Sequence, residues 1–456
     1  YGGPRDQHSF PPRRSADRNA TQHAGFDGQV SATGNLTVTA DDVATGTHAQ
    51  LQSSDTLNLQ ANSATLDGTQ AAKNALTVTA KTLGHGGKSS ADNITLNAPQ
   101  TLTNSGTMQA DALTLSSDHI TNSGLLQGTH TLGLHTDRLD NLAGGTLYSV
   151  HDLTFDTPEL NNSGLITTDS HLRLGGRSLT NTGEINGVTF DVGYQSVDNR
   201  STGRLLADEG LTFTADSITN AGLLGAKQLS ITADSLANQG SVQGNDALTL
   251  TTAETTNSGT IRSGGTLALN GQTLDNSGLI SGTDVALNSN EINNNGLLVG
   301  LNTLTLDANK TLMGRMAMAM PQLALINGTK GQLLTQGTLD VTAGSLINSG
   351  RLQSGSDTTL TLAGNLTNNA SGDIVSGRGL TVTTPSMLNY GLIQGSGETH
   401  LDATTVAQTD GKVLSDGHLT LTSAEYTGTG LLQPPRLILN AASNTGSGNL
   451  AADQAP

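Results

Sequence analysis

One internal repeat constrains this chain more than any other feature of it. Three apolar marks return every 18 to 22 residues, usually every 19, along almost the whole sequence. A period in that range signals stacked repeats and has to be read before anything else. The copy from Ala112 to Gly128 shows all three marks. The first is the pair Leu113-x-Leu115, and such pairs recur from Leu36 to Leu437. The second is Ile120, two before Asn122 of an Asn-x-Gly turn, and the third is Leu126, two after the turn glycine Gly124.

Apolar, polar, apolar is the pattern of a strand with one face buried. The position two after the turn glycine is apolar in every alignable copy, as in Met108, Ile166, Ile185, Val242 and Leu432. The residue just before it varies freely, as in Thr107, Glu184, Arg204, Asp373 and Lys412. One position therefore points inward and its neighbour outward. A helix is excluded, because the apolar spacing is two and because Thr, Asn and Gly, all poor helix formers, dominate the repeat.

One such unit buries too little apolar surface to offset the entropy of ordering it. Stability has to come from stacking, with each coil hydrogen-bonded to the coils on either side. The expected fold is all-β, a parallel β-helix (β-solenoid) of about 21 rungs of ~19 residues. Stacking puts Asn104, Asn122, Asn141, Asn162 and Asn181 over one another. Amides stacked in this way can hydrogen-bond along the axis. Asn and Gly both tolerate positive φ, so the Asn-x-Gly segment is expected to form a tight corner.

The repeat divides the chain into residues 1–30, a linker or cap, residues 31–440, the β-helix, and residues 441–456, a fraying tail. Residues 31–100 keep the Leu-x-Leu pairs but lack Asn-x-Gly, and Gly84-His85-Gly86-Gly87-Lys88 reads as a loop bulging from a corner. Residues 307–322 break the pattern. The turn glycines Gly296 and Gly331 are 35 residues apart, so either one rung is degenerate or a loop is inserted. That stretch holds four of the six methionines, and an exposed Met-rich loop is an adaptable binding surface. Met313, Arg315, Met316, Met318 and Met320 are the candidate binding residues.

The formal charge of −17 argues against a nucleic-acid partner, which needs a basic face. With no cysteine there is neither a disulfide framework nor a thiolate metal site. No apolar run is long enough for a transmembrane helix. No initiator Met and no signal-peptide pattern is visible, so the chain reads as an internal piece of a longer polypeptide. Five Phe, five Tyr and no Trp suit a narrow solenoid interior. His119, His130, His135, His151 and His171 fall at exposed positions, and His130 and His151 are placed to stack one rung apart. The calcium-binding repeat Gly-Gly-x-Gly-x-Asp is missing, and neither a cofactor nor a metal is expected.

The pattern Leu-x-Leu followed by Leu-x-Asn-x-Gly-x-Ile/Leu is seen in Leu179-Thr180-Asn181-Thr182-Gly183 and in Leu274-Asp275-Asn276-Ser277-Gly278-Leu279-Ile280. It resembles the haemagglutinin repeats of filamentous haemagglutinins and of contact-dependent growth inhibition exoproteins, over roughly residues 31–440. The resemblance implies a right-handed parallel β-helix, triangular in section. It also implies export by two-partner secretion through an outer-membrane transporter, and a secreted or cell-surface location.

The leading functional expectation is a rigid stalk for adhesion or contact-dependent toxin delivery, facing a receptor on a target cell. A receptor- or glycan-binding module is the alternative, with Tyr148, Tyr194, Tyr390 and Tyr426 as the available aromatic platforms. An enzyme that degrades polysaccharides is the remote one. The adjacent pairs Asp41-Asp42 and Asp208-Glu209 should point to opposite faces rather than converge.

Overall fold

Neighbouring coils can pair only if equivalent residues lie side by side, and this is how the chain is arranged. The computed structural model describes residues 15–308 and 324–451. The chain divides into two compact units, Tyr1–Ala226 and Lys227–Pro456. Every regular element among the described residues is a strand. In each unit the strands stack in parallel as a right-handed β-helix.

In the first unit, Leu36, Leu57, Leu76, Ile94, Leu113 and Leu132 are register partners in consecutive coils. A second inward column runs Leu83, Leu102, Ile120, Leu139, Leu160 and Leu179. The third runs Met108, Leu126, Leu147, Ile166, Ile185 and Leu205. All three columns are buried. The burial pattern alternates along each strand, as the period of two requires.

Pairing reaches past the limits expected from the repeat. Ala16–Asn19 pairs with Leu36–Thr39, and His23–Phe26 with Asp42–Thr45. At the other end, Leu432 pairs with Leu450. A coil without a Leu-x-Leu pair is filled by Phe190 and Val192, which stand on Leu172 and Leu174.

In the second unit, Leu248, Leu267, Val285, Leu304 and Leu339 form the corresponding column. The next coil slips by two residues. Leu360 stands on Val341, and Thr358 stands on Leu339. A slip of two keeps the same side chains facing inward. Thr358 is buried, and its hydroxyl lies 2.7 Å from that of Ser354. Thr399 repeats the substitution two coils later, on Leu380.

Across the irregular stretch, of which residues 309–323 lie outside the described residues, the flanking strands pair with each other. Leu304 pairs directly with Leu339, and Ile292 with Leu325. Asn294 Nδ2 donates to Asn327 Oδ1 at 3.0 Å. These coils are consecutive, so no degenerate rung stands between them.

The Asn-x-Gly segment works differently from the corner expected. Asp410 is the one non-glycine residue with positive φ among the described residues, so the asparagines do not use left-handed backbone. Each ends a strand, as in Thr101–Asn104 and His119–Asn122, and each is buried. The turn glycine is required for close approach instead. A Cβ on Gly124 would run into the carbonyl oxygen of Gly106, and one on Gly278 into that of Gly259.

The asparagine amides form a ladder. In the first unit each Nδ2 donates to Oδ1 of the asparagine in the next coil, from Asn104 through Asn122, Asn141, Asn162, Asn181 and Asn199 to Asn220, at 2.7–2.9 Å. In the second unit the chain of donors runs from Asn238 through Asn257, Asn276, Asn294, Asn327, Asn348 and Asn368 to Asn389, at 2.8–3.0 Å. Each Nδ2 also reaches a backbone carbonyl of its own turn or of the next coil, and Asn181 reaches both, those of Gly183 and Arg204. These carbonyls accept only, so they fix which end of each amide carries nitrogen.

The segment Gly84–Lys88 is not a bulging loop. Thr82–His85 is a strand paired on both sides, and His85 stands on Asn104, 2% exposed. The imidazole fills the ladder position because it too can donate into an amide oxygen, with Nδ1 2.7 Å from Asn104 Oδ1.

Two predictions follow the columns inward. Leu172→Ala, at a position fully buried, should cost about 2–5 kcal/mol. Leu301→Ala, at a position 53% exposed, should change stability by less than about 0.5 kcal/mol. Denaturant unfolding of the two variants measures the contrast. The ladder makes the second prediction. Asn181→Asp keeps an acceptor for Asn162 but gives Gly183, Arg204 and Asn199 a carboxylate with no hydrogen to donate. The folded pKa of that carboxyl should rise above its unfolded value of about 3.9. Its protonated form, with one donor, is then the better tolerated. The loss of stability should be largest at neutral pH and shrink as pH falls through the raised pKa. An equal loss at pH 7 and pH 4 would refute the ladder's donor polarity.

Candidate functional site

With three columns turned inward, any chemistry has to come from the rows that face out. Just before the ladder, His119, Arg138, Glu159 and Ser178 are register neighbours, and beside them lie Thr121, Asp140, Asn161 and Thr180. Asp140 is the hub of this patch. It accepts from His119 Nε2 at 2.7 Å, from Arg138 Nε at 3.0 Å and from Asn161 Nδ2 at 2.7 Å. Partial burial by itself would raise the pKa of its carboxyl. The hydrogen bonds from Asn161, Arg138 and His119, with the Arg138 charge, outweigh burial and hold it below the usual range.

The same pairing of base with acid recurs along the first unit. Arg177 bonds Glu159, Arg200 lies 3.0 Å from Asp198, and Arg204 lies 3.2 Å from Glu184. These cations are neutralised where they stand, so they make no stripe for a polyanion. Acids beyond those pairs are tied to neighbouring coils by neutral donors. Asn62 bonds Asp41, Asn74 bonds Asp55, and Ser170 bonds Asp152.

Of the five histidines expected at exposed positions, His130, His135 and His151 are exposed and His119 and His171 are half-buried. The rings of His130 and His151 meet edge to face, with centroids 5.1 Å apart, and both residues are exposed. His171 instead engages Thr189 at 2.8 Å and Asp191 at 3.4 Å. Among the described residues, no group of three or more His, Cys, Asp or Glu side chains is placed to hold a metal ion. The acidic pair Asp41-Asp42 does not converge either. Asp41 engages Asn62, while Asp42 engages His23 at 2.6 Å.

The aromatic platforms are fewer than the sequence offers. Tyr194 and Tyr426 are core residues, and Tyr148 donates its hydroxyl to Asp169 at 2.6 Å. Tyr390 is left as an exposed ring. A shallow trough of about 610 Å³ follows the turn glycines Gly68, Gly87, Gly106 and Gly124, with Asp67 and Lys88 as its charged members. Met313, Arg315, Met316, Met318 and Met320 lie outside the described residues. No helix among the described residues is long and apolar enough to cross a membrane.

His85 is the residue that the sequence reading placed wrongly. Its signal was its position two before Gly87, where later coils carry the ladder asparagine.

Known proteins match this repeat architecture. The haemagglutinin repeat model matches at residues 31–109, 71–127, 186–254, 225–312, 298–370 and 358–423. The chain is 37% identical over 383 residues to the Toxin CdiA of Escherichia coli, which covers 75% of this chain and 12% of that protein. It is 35% identical over 377 residues to a tRNA nuclease CdiA of Escherichia coli O6:K15:H31, covering 74% of this chain and 11% of that protein. A 16S rRNA endonuclease CdiA of Enterobacter cloacae is 32% identical over 212 residues, 46% of this chain and 6% of that protein. The chain thus spans about a tenth of the length of these Escherichia coli relatives. No solved structure matches it. The recurrent columns, the asparagine ladder and these matches together show that the chain belongs to the haemagglutinin-repeat family, as a filament segment of a secreted, surface-exposed two-partner-secretion exoprotein of the filamentous haemagglutinin and contact-dependent growth inhibition type.

Proposed function

We propose that this segment is a stalk, which sets the distance between the cell that bears the exoprotein and the part that meets a target cell. The observation that carries the reading is the division of labour within each coil. Inward residues repeat in register, the ladder satisfies its own buried amides, and outward cations such as Arg138 and Arg200 pair with neighbouring acids. Such a surface offers spacing rather than a convergent reactive centre. The relatives are named as a toxin and as nucleases, so the cargo this reading assigns to the parent protein is a toxin delivered on contact.

Export through an outer-membrane two-partner-secretion transporter suits the same design. A chain without cysteine has no disulfide to trap it before passage. Once outside, each finished coil offers a complete row of backbone donors and acceptors to the next.

A spacer tolerates loss of whole coils. Deleting residues 239–276 from the parent exoprotein joins Asn238 to Ser277 and so restores an Asn-x-Gly turn. This variant should remain displayed on the cell and should still attach to and inhibit target cells. Deleting residues 239–266 breaks the register and should abolish display. Loss of attachment by the displayed in-register variant would sink the stalk reading. Replacing Met313, Arg315, Met316, Met318 and Met320 together by Ser separates the alternative, since attachment should persist for a stalk and fall for a receptor-binding loop.

A further inference from the structure

The interior changes character at the start of the first unit's ladder. From Asn104 onward the third inward column is Met108, Leu126 and Leu147, but in the two preceding coils the same column holds Gln70 and Ser89. Both are buried, as are Thr45 and His85. These four polar side chains form one connected cluster. Thr45 Oγ1 lies 3.1 Å from the Gln70 amide, which lies 3.1 Å from Ser89 Oγ. Ser89 Oγ lies 2.9 Å from His85 Nε2, and His85 Nδ1 lies 2.7 Å from Asn104 Oδ1.

The ladder sets the hydrogens of this cluster. Asn104 gives its Nδ2 hydrogens to Asn122 and to the carbonyls of Gly106 and Leu125. Its Oδ1 must therefore accept, so His85 must carry a proton on Nδ1. Nε2 is left free to be either an acceptor or a donor. With a neutral ring, the Ser89 hydroxyl donates to Nε2. The Gln70 nitrogen then donates to Ser89, and Thr45 donates to the Gln70 oxygen. With a protonated ring, Nε2 donates to Ser89, Ser89 to the Gln70 oxygen, and the Gln70 nitrogen to Thr45. The structure has Gln70 Nε2 towards Thr45 and Oε1 towards Ser89, and a half-turn of that amide gives the neutral-ring pattern. Thr45 Oγ1 also accepts from the Gly68 N–H at 3.2 Å, so its own hydrogen finds the Gln70 oxygen only in the neutral pattern, and the protonated pattern adds a charge on a buried ring.

We propose that His85, with Ser89, Gln70 and Thr45, is a pH-responsive clasp at the head of the amide ladder, which holds the coils before Asn104 at neutral pH and loosens them in acid. The surroundings set the direction. Burial disfavours the imidazolium and dominates, lowering the pKa from 6.5, while the bond to Asn104 and the charge of Asp67 pull the other way. Lys88, beside Ser89 in sequence, is exposed. The flanking strands Thr69–Ala72 and Thr101–Asn104 carry no charged residue. A group whose folded pKa is lowered in this way contributes stability that is fully present above pH 6.5. That contribution is lost as pH falls through the folded pKa.

The test is hydrogen exchange of the whole chain at pH 7.5 and pH 5, read peptide by peptide and corrected for the intrinsic pH dependence of exchange. In the wild-type chain, peptides within residues 63–103 should lose protection in acid, by up to about tenfold per unit by which the His85 pKa is depressed. Peptides within residues 160–200 should not change. His85→Asn extends the ladder by one amide and should abolish the acid response, and His85→Gln serves if that variant folds poorly. Nitrogen NMR of histidine-labelled protein at neutral pH should show the Nδ1–H tautomer at His85. Equal acid sensitivity in wild type and variant, no acid response in the wild type, or an Nε2–H tautomer would each overturn the proposal.

Discussion

Parallel register is the constraint on which everything else in this protein rests. Once equivalent residues lie side by side, an inward leucine in one coil meets an inward leucine in the next, and a buried asparagine meets a buried asparagine. The first contact needs only apolar area. The second is more demanding, because an amide that loses its partner inside the coil costs more than a matched pair contributes. The ladder therefore penalises any slip that the leucine columns would tolerate. The coil at Thr358 shows the difference. Its apolar pair is displaced by two residues, yet Asn348 and Asn368 still meet at 2.9 Å.

Glycine and asparagine divide the work of the turn. Glycine admits the neighbouring coil's backbone, since a Cβ on Gly124 would collide with the Gly106 carbonyl. Asparagine supplies one donor group and one acceptor, pointing opposite ways along the axis. Aligned amides polarise one another in the low-dielectric interior, which strengthens a chain of them beyond isolated pairs. The same alignment gives the ladder a head that needs a donor, and in the first unit His85 provides it. The outer face follows a looser rule. Several of its cations pair with acids on the same or a neighbouring coil, as Arg138 does with Asp140, and they leave the inward pattern untouched.

Much of this was legible in the residues alone. The position two after each turn glycine marks the core without exception, from Met108 to Leu432. The ladder is written in the repeat itself, because burial of one asparagine implies burial of all that share its register. Less legible were the coils whose inward residues are polar or aromatic, such as Phe190, Thr358 and Thr399. A hydrophobic pattern cannot register a threonine that is buried because its hydroxyl finds Ser354. The exposed rows were harder still. Whether Arg138 and Asp140 meet depends on rotamers and on the neighbouring coil, and neither is written in local spacing.

The sequence by itself determined the coil length, the strand period and the identity of the three inward columns. Those follow from a side-chain period of two combined with a repeat of nearly constant length. Only the tertiary structure decided how the coils close. It joined Asn294 to Asn327 across the long interval, and it drew His85 inward as a rung rather than outward as a loop. The physical reason is the same in both cases. A ladder position is chosen by what the next coil needs at that point, and that need exists only once the two coils lie against each other.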